Sequence, residues 1–257
     1  MNITTVAIIQ ARMGSTRLPG KVLRDLCGIT VLGHVIRRVA RCKLVDKTVV
    51  ATSTLPADDP IAKEAAAHSA AVFRGSEEDV LSRYYGAAIQ STAEVIVRVT
   101  ADCPLFDPAI LCEMLELFHG RNVPSSTRPL DYLSNTLGER TFPRGLDAEV
   151  FTMDALAKAN ALARDPWERE HVTPYIYSHP QTFRLEGYRQ AMDQSMQRWT
   201  LDTEEDWALI RAIYEALGRA DGMFVTQDVI DYLRVHPELM AINAHVRQKQ
   251  PTASRSG

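Results

Sequence analysis

The sequence predicts an α/β fold with a mainly parallel central sheet flanked by helices, and three observations predict it. The first is a series of short apolar or β-branched runs, of which Thr5–Gln10 and Val95–Thr100 are the clearest. Continuous runs of this length are typical of strands that are buried on both faces. The second is their alternation with helical patterns, and the third is the shortness of the connections. Together they indicate a parallel sheet that is covered by helices on both sides.

The elements of the first half follow one another regularly. The predicted strands are 5–10, 48–52, 71–73 and 95–100, and the predicted helices are 31–39, 58–69, 77–90 and 107–118. In the first of these helices, apolar residues recur at helical spacing on one face and arginines occupy the other. The last begins with Asp107 as its N-cap, followed by Pro108 in the first turn.

Near Arg121 the alternation breaks off. Residues 121–145 are rich in Pro, Ser, Thr, Arg and Gly, and the elements predicted beyond Arg121 are strands at 132–136, near 183–188 and at 197–201, and helices at 152–163 and about 168–178. Thr203 then caps a helix whose first turn is acidic, as the helix dipole favours. We therefore expect a single domain, 1–247, with an insertion at about 121–190 for acceptor binding or dimerisation, and a flexible tail, 248–257.

The composition argues against several classes of function. Lys plus Arg is 29 and Asp plus Glu is 32, so the net charge is -3, whereas a nucleic-acid-binding protein usually has a basic excess. No apolar run approaches the roughly 20 residues that span a bilayer. The first residues also lack the basic region and cleavage site of a secretory signal. We expect a cytoplasmic protein with no nucleic-acid or membrane partner.

The four cysteines, Cys27, Cys42, Cys103 and Cys112, show no C-x-x-C spacing. Cys27 and Cys42 stand among apolar residues of helical pattern. In a cytoplasmic protein this favours buried reduced thiols over disulfides or a zinc site.

The segment that follows the first predicted strand, residues 10–21, has the composition of a phosphate-binding loop. It holds two glycines, a Ser-Thr pair and the cations Arg12, Arg17 and Lys21. Glycines let successive backbone amides turn inward, and cations favour a polyanion over a neutral ligand. The loop fits neither the G-x-G-x-x-G nor the G-x-x-x-x-G-K-[ST] pattern. The alternative, a solvated surface turn, is disfavoured because the loop contains no acidic partner for its cations.

These residues carry a resemblance to a known family. The run 8–21 (Ile-Ile-Gln-Ala-Arg-Met-Gly-Ser-Thr-Arg-Leu-Pro-Gly-Lys) resembles the opening motif of the cytidylyltransferases that make CMP-sugars, in particular the SpsF-type branch named after spore-coat polysaccharide biosynthesis. Acylneuraminate and 3-deoxy-manno-octulosonate cytidylyltransferases are more distant relatives. The resemblance continues through 73–80, 100–105, 142–147, 169–175 and 198–203, nearly the whole chain. It implies a GT-A-like nucleotide-diphospho-sugar transferase fold that uses CTP and Mg²⁺.

Two aspartates follow predicted strands on the edge of the sheet that carries the loop. Asp102 follows Val95–Thr100, and Asp202 follows the run 197–201. Mg²⁺ is typically held by one or two carboxylates together with phosphate oxygens and waters, so this pair is chemically sufficient. The resemblance makes Asp102 the principal metal ligand and Asp202 the second. The alternatives are a turn or cap residue before Pro104 for Asp102, and helix-entry chemistry for Asp202.

The resemblance also implies a nucleotide site. Its expected members are Ala11, Arg12, Gly14, Ser15, Arg17, Lys21, Arg74, Gly75, Ser76 and Asp102, of which Arg12, Arg17, Lys21 and Asp102 are the expected catalytic residues. Ala11 and Arg12 are expected near the nucleoside, and Arg17 and Lys21 at the β- and γ-phosphates. The segment 74–76 would read the base through its backbone. It could equally be an ordinary helix entry with Ser76 as the N-cap.

Two polar segments are candidates for binding the acceptor. Arg144, Asp147 and Glu149 surround a glycine and could orient hydroxyls or an acidic group, or form a hairpin corner. Glu170 and His171 belong to a run of alternating charge, which is more typical of a salt-bridged helix face. His171 as a general base is the weaker hypothesis.

The resulting functional prediction is transfer of CMP from CTP to a sugar or sugar acid, with release of pyrophosphate, by a homodimeric enzyme of surface polysaccharide synthesis. A glycosyltransferase of the same fold would usually carry an Asp-x-Asp motif, whereas this chain has Ala101-Asp102-Cys103. A nucleotidyltransferase with a non-sugar acceptor and a non-catalytic nucleotide sensor stay open as alternatives, because function resides in the site and not in the fold.

Overall fold

The strands form the frame of the molecule. The computed structural model describes residues 3–123, 129–218 and 223–247, so the predicted flexible tail lies outside the described residues. The strands are β1 (Thr5–Gln10), β2 (Asp25–Leu26), β3 (Ile29–Thr30), β4 (Lys47–Ser53), β5 (Ala71–Gly75), β6 (Val95–Thr100), β7 (Tyr132–Ser134), β8 (Glu149–Thr152) and β9 (Leu185–Gly187).

The helices alternate with these strands in the first half and cluster in the second. They are α1 (Val31–Val39), α2 (Asp59–Ala67), α3 (Val80–Ser91), α4 (Pro108–Arg121), α5 (Met153–Leu162), α6 (Pro166–His171), α7 (Pro174–Tyr177), α8 (Glu204–Leu217), α9 (Thr226–Val235) and α10 (Pro237–Ala241), with short 3-10 helices at Lys21–Leu23 and Pro56–Asp58. In the described part of the chain, none of them is long and apolar enough to cross a membrane.

The central sheet has the strand order β5-β4-β1-β6-β8-β7-β9. The four strands from the first half, β5, β4, β1 and β6, run parallel to one another. β8 is antiparallel to both of its neighbours, and β9 pairs with β7 in parallel. The prediction of a mainly parallel sheet is therefore confirmed.

Alternate residues of β1 face two different cores, because successive side chains of a strand point to opposite faces. Ala7 and Ile9 belong to a buried cluster that includes residues of α1 and α4. Val6 and Ile8 belong to a second cluster that includes residues of α3 and α5. Helices thus cover both faces of the sheet, as the continuous apolar run of β1 predicted.

A third buried cluster joins the opening loop to the C-terminal helices. Leu18, in the loop after β1, is fully buried and belongs to the same cluster as Trp199 and residues of α8 and α9. α8 begins at a capping box in which Thr203 accepts a hydrogen bond from the Asp206 amide, as the sequence predicted. This cluster gives the loop a fixed support on the side away from the sheet.

The predicted insertion is part of the sheet and not an appendage. β8 was not predicted, because the polar motif that precedes it pointed to a corner and its Glu149 is unusual in a buried strand. Within 121–190, the strands β7, β8 and β9 extend the sheet beyond β6. The segment therefore supplies three of the seven strands of the sheet whose edge carries the site.

Two other predictions of local structure are wrong. The expected helix at 168–178 is two helices, α6 and α7, because Val172 adopts a positive φ of 74° and Pro174 begins a new helix. The expected strand at 197–201 makes only an isolated bridge, between Arg144 and Arg198. Its backbone is instead held by single contacts, such as the Leu201 amide to the Asp102 carbonyl at 2.9 Å.

The cysteine prediction also needs correction. Cys42 and Cys112 form a disulfide, with their Cα atoms 5.5 Å apart, where reduced thiols were expected. Cys27 is exposed in the turn between β2 and β3, with a φ of 58°, and does not lie in a helix. Cys103 is a buried free thiol, as predicted. Spacing in sequence could not reveal the pair, because its members are 70 residues apart.

Gly145 gives a test of the packing around the isolated bridge. Its φ is 103°, and the Cβ of an alanine would lie 2.5 Å from the Trp199 carbonyl carbon. We expect Gly145→Ala to lower the free energy of unfolding by more than about 2 kcal/mol in chemical denaturation. Gly120→Ala is the matched control, because nothing lies within 4 Å of its Cβ position and its φ is not positive. A change below about 0.5 kcal/mol for Gly145→Ala would contradict the predicted strain.

Candidate active site

The C-terminal ends of the parallel strands meet at one edge of the sheet, and the candidate site lies along that edge. Register pairs Gln10 of β1 with Ala51 of β4 and with Thr100 of β6. Ser53 of β4 pairs with Gly75 of β5. The segments that follow these strands are therefore neighbours, and in open α/β sheets this edge is where ligands bind.

The loop after β1 is anchored at its start by a carboxylate that the sequence analysis missed. Asp58 accepts a hydrogen bond from the Met13 amide at 2.8 Å through Oδ1, and from the Ser53 hydroxyl at 2.5 Å through Oδ2. Burial raises the pKa of Asp58, but the hydrogen bonds from Ser53 and Met13 outweigh it and leave the pKa lowered. The sequence analysis placed Asp58 only at the start of a predicted helix, and nothing in the local sequence identified the Met13 amide as its partner.

The middle of the loop presents donors that have no partner in the part of the chain the structure describes. The Arg12 side chain is exposed and makes no hydrogen bond or ion pair there. The Gly14, Thr16 and Arg17 amides meet no acceptor either. The Ser15 amide, in contrast, donates to the Met13 carbonyl at 2.8 Å, so it is engaged within the loop. Unpartnered amides beside a free guanidinium are the donor set that a phosphate group requires.

The end of the loop turns back toward the sheet. Gly20 has a φ of 66°, a left-handed conformation that glycine adopts readily, and the 3-10 helix Lys21–Leu23 follows it. This turn directs the Lys21 ammonium inward. Its Nζ lies 2.7 Å from Asp102 Oδ2, 2.7 Å from Asp202 Oδ1 and 2.6 Å from the Leu201 carbonyl oxygen. The two predicted carboxylates therefore converge on one position, which a cation occupies.

Asp102 is oriented by Thr100, the last residue of the preceding strand β6. The Thr100 hydroxyl donates to Asp102 Oδ1 at 2.6 Å, and Oδ2 is left to Lys21. Burial raises the pKa of Asp102, but the charge and hydrogen bond of Lys21 and the bond from Thr100 lower it below its ordinary value. For Lys21, burial lowers the pKa, and the charges of both aspartates outweigh it and raise the pKa. Asp102 and Lys21 are accordingly both charged near neutral pH.

Asp202 is held by arginines on its outer side. Arg198 donates to Asp202 Oδ2 at 2.9 Å, and Arg17 lies 3.2 Å from the same oxygen. Arg198 is itself fixed by a two-point contact with Asp206, which is fully buried at the start of α8. Asp202 therefore keeps its orientation independently of Lys21.

The donor set of this pair fits a hard divalent cation. Asp102 and Asp202 face one position from two sides, and Mg²⁺ commonly takes one or two carboxylates with phosphate oxygens and waters completing its shell. Within residues 3–123, 129–218 and 223–247, no group of three or more His, Cys, Asp or Glu side chains could hold a metal ion. A metal at this place would depend on ligands from outside the protein.

The segment 74–76, which was predicted to read the base, lies at the same edge of the sheet. The side chain of its Arg74 is already hydrogen-bonded within the protein. Arg74 donates to the carbonyls of Ser53 and Leu55, both at 2.8 Å. The carbonyls of Gly75 and Ser76 also accept hydrogen bonds from within the protein. Ser76 is not the N-cap of α3, since Asp79 performs that role. The Arg74 guanidinium and these two carbonyls are therefore engaged within the protein, whereas the exposed Ser76 amide meets no acceptor among the described residues.

The motif at 144–147 lies beside the two carboxylates. Arg140, which the sequence analysis missed, forms a two-point contact with Asp147 at 2.6 and 2.9 Å. Arg144 is partly buried, and its guanidinium meets no partner among the described residues. Burial first, and then the charge of Arg140, lower the pKa of Arg144. Arg144 is thus a second cation without a side-chain partner among the described residues, and its backbone bridges to Arg198.

Glu149 was predicted as an acceptor residue, but the structure does not bring it to the surface of the site. It is 6% exposed, pairs with Arg98, and accepts hydrogen bonds from the hydroxyls of Tyr132 and Thr173, each at 2.6 Å. Arg98 also donates to the Gln10 side chain at 3.1 Å. The Glu149 carboxylate is therefore fully engaged within the protein, so Glu149 supports the sheet where a solvated corner or a ligand contact was expected.

The other acceptor candidates end helix α6. Glu170 is exposed, and His171 is partly buried with its ring centroid 5.6 Å from that of Trp167. Burial lowers the pKa of His171, while the nearby Glu170 carboxylate raises it and the Arg12 charge lowers it. His171 is therefore neutral near pH 7.

The sequence matches a known protein family and several of its members. A family model described as cytidylyltransferase matches residues 6–234. The spore coat polysaccharide biosynthesis protein SpsF of Bacillus subtilis (strain 168) is 33% identical over 239 residues, covering 90% of this chain and 94% of that protein. A 3-deoxy-manno-octulosonate cytidylyltransferase of Geobacter sulfurreducens is 42% identical over 117 residues, covering 45% of this chain and 44% of that protein.

Structural comparison agrees. A solved cytidylyltransferase from Leptospira borgpetersenii superposes with a TM-score of 0.84 at 32% identity, covering 98% of this chain and 100% of that one. The prediction of a nucleotide-diphospho-sugar transferase-like fold is confirmed. The family match covers most of the sequence and extends well beyond the opening motif. This chain is therefore a nucleotidyltransferase. The chain belongs to the cytidylyltransferase family.

Proposed function

We propose that this protein transfers CMP from CTP to a hydroxyl of a sugar or sugar acid in a Mg²⁺-dependent reaction that releases pyrophosphate, in the synthesis of a surface polysaccharide. The observation that carries the proposal is the convergence of Asp102 and Asp202 on one cation position beside a loop of unpartnered donors. The named activities of the relatives support the acceptor class. Assembly as a homodimer through the segment 121–190 and a cytoplasmic location remain predictions.

The triphosphate would lie along the loop after β1. Arg12 is the free cation at the start of the loop and would neutralise the α-phosphate. Arg17 and Lys21 at its end would hold the β- and γ-phosphates, and the unpartnered amides between them would bind non-bridging oxygens. Ala11 and the segment 74–76 would border the base.

The metal would be held by Asp102 and Asp202. Mg²⁺ there would supply positive charge to the phosphate oxygens as negative charge accumulates on them. The protein itself supplies position. Thr100 and Arg198 orient the two carboxylates before any ligand arrives, and such preorganisation is what lowers the barrier of a phosphoryl-type transfer.

The reaction would be an in-line displacement. The acceptor hydroxyl oxygen attacks the α-phosphorus, forms the new bond and releases its proton to water, while the bond between the α-phosphorus and the bridging oxygen to the β-phosphorus breaks and pyrophosphate leaves. Arg144 would bind an acidic or hydroxyl group of the acceptor, because its guanidinium has no partner among the described residues. Glu170 and His171 remain proposed as acceptor contacts, whereas Asp147 is paired with Arg140 and would act through that pair.

Substrate choice gives the direct test of this function. Each of the four nucleoside triphosphates is incubated with Mg²⁺ and a panel of ulosonic acids and sugar phosphates, and pyrophosphate release is measured. We expect turnover with CTP and a sugar-acid acceptor and far less with ATP, GTP or UTP. Binding of CTP without pyrophosphate release from any acceptor would favour a nucleotide sensor instead.

Removing one charge at the metal site gives a second prediction. Asp102→Asn keeps the size of the side chain but removes the negative charge, so pyrophosphate release should fall by about a hundredfold or more. Thermal unfolding should remain cooperative, since the fold around β6 is unchanged. Asp154→Asn, at an exposed position of α5, is the control and should retain activity. Wild-type rates in Asp102→Asn would overturn the metal assignment.

Arg144 separates binding of the acceptor from binding of the nucleotide. Arg144→Met should raise the KM for the acceptor by about tenfold to a hundredfold, the effect of losing one hydrogen-bonded charge contact. The KM for CTP should change by less than about threefold, a free-energy change under 1 kcal/mol. Arg37→Met removes an exposed arginine of α1, outside the segment 121–190, and serves as the control. An equal rise in both KM values would show that Arg144 does not act on the acceptor.

A further inference from the structure

Lys21 is engaged in a way that the proposed phosphate contact does not explain. An ammonium group has three donors, and those of Lys21 face Asp102, Asp202 and the Leu201 carbonyl within 2.7 Å. The residue is 9% exposed. In this arrangement no donor of Lys21 remains for a phosphate oxygen.

The place that Lys21 fills is also the place that the carboxylate pair offers to a metal. A second cation cannot share a position that lies within hydrogen-bond distance of both carboxylates, because the two positive charges would repel strongly at that separation. Lys21 and a divalent cation are therefore alternative occupants. With neither occupant, the partly buried Asp102 would lose the cation that compensates its charge, which is costly in a partly desolvated site, whereas Asp202 would keep Arg17 and Arg198.

We propose, on the basis of the proposed function, that Lys21 is a built-in counter-ion that holds the metal site closed to divalent cations until a nucleoside triphosphate arrives. The phosphates then draw the ammonium away from Asp102 and Asp202, and the metal enters with the nucleotide in the same exchange. The divalent cation takes the place of the Lys21 ammonium between the two carboxylates. The carboxylate pair is thus never left without positive charge.

The neighbours of the pair make this exchange feasible. Thr100 orients Asp102, and Arg198 orients Asp202 while Asp206 holds Arg198 in turn. None of these contacts involves Lys21. The site therefore keeps its shape when the lysine leaves, and only the long, flexible lysine side chain has to move.

Metal binding without nucleotide tests the proposal. Free Mn²⁺ is measured by electron paramagnetic resonance during titration of the wild type, Lys21→Met and Lys21→Gln, all without nucleotide. Both variants should bind Mn²⁺ at least about tenfold more tightly than the wild type, because the apparent affinity no longer includes displacement of the ammonium. Lys63→Met, at an exposed lysine of α2, should bind like the wild type. The double variant Lys21→Met with Asp102→Asn should lose the gain.

Thermal stability is a second measurement, and it also covers the case in which a Lys21 variant does not fold without metal. Mn²⁺ should raise the Tm of both Lys21 variants at concentrations that leave the wild-type Tm unchanged. If a variant is unfolded in chelator, recovery of the fold on addition of Mn²⁺ supports the proposal, and failure to recover counts against it. Variants that are folded and bind Mn²⁺ no more tightly than the wild type overturn it. Failure of the proposed function would look different, as absence of pyrophosphate release by the wild type whatever the metal affinities.

Discussion

The arrangement depends on one electrostatic constraint, which is that two carboxylates must face each other at a partly buried edge of the sheet. Asp102 and Asp202 come from positions a hundred residues apart and would repel if left alone. Lys21 lies between them, and arginines hold the outer side of Asp202. The loop after β1 is therefore tied to both carboxylates by charge. The same contacts set its conformation, and with it the position of the loop donors to which the proposed triphosphate would bind.

The sequence was sufficient for the parts that depend on local patterns. β1 and β6 match their predicted bounds because each is a continuous apolar or β-branched run, and Asp102 could be placed because it directly follows β6. The position of Asp202 was also anticipated, although the segment before it is not a strand. The break at Val172 was missed, but Pro174 signalled it, since proline is favoured in the first turn of a helix and not in its interior.

The partners of charged side chains could not be predicted, because they depend on convergence of distant segments. Lys21 is 81 residues from Asp102 and 181 from Asp202 in the sequence. The sequence analysis therefore predicted a phosphate as the partner of Lys21 and did not predict these two carboxylates. The same reason explains Glu149. A glutamate in a buried strand is stable only with partners such as Arg98 and Thr173, and nothing in the local sequence identifies them. That buried network joins β6, β8 and α7 into one support.

The burial of Leu18 has a consequence for the far end of the chain. This leucine belongs to the opening loop, yet it rests in a cluster formed largely by α8 and α9, and Asp206 of α8 fixes the arginine behind Asp202. The C-terminal helices thus support the loop that carries Arg12, Arg17 and Lys21. Drift in the hydrophobic side of α8 or α9 during evolution would retune nucleotide affinity from a distance. A version of the enzyme cut short before α8 would retain the loop's sequence and lose its shape.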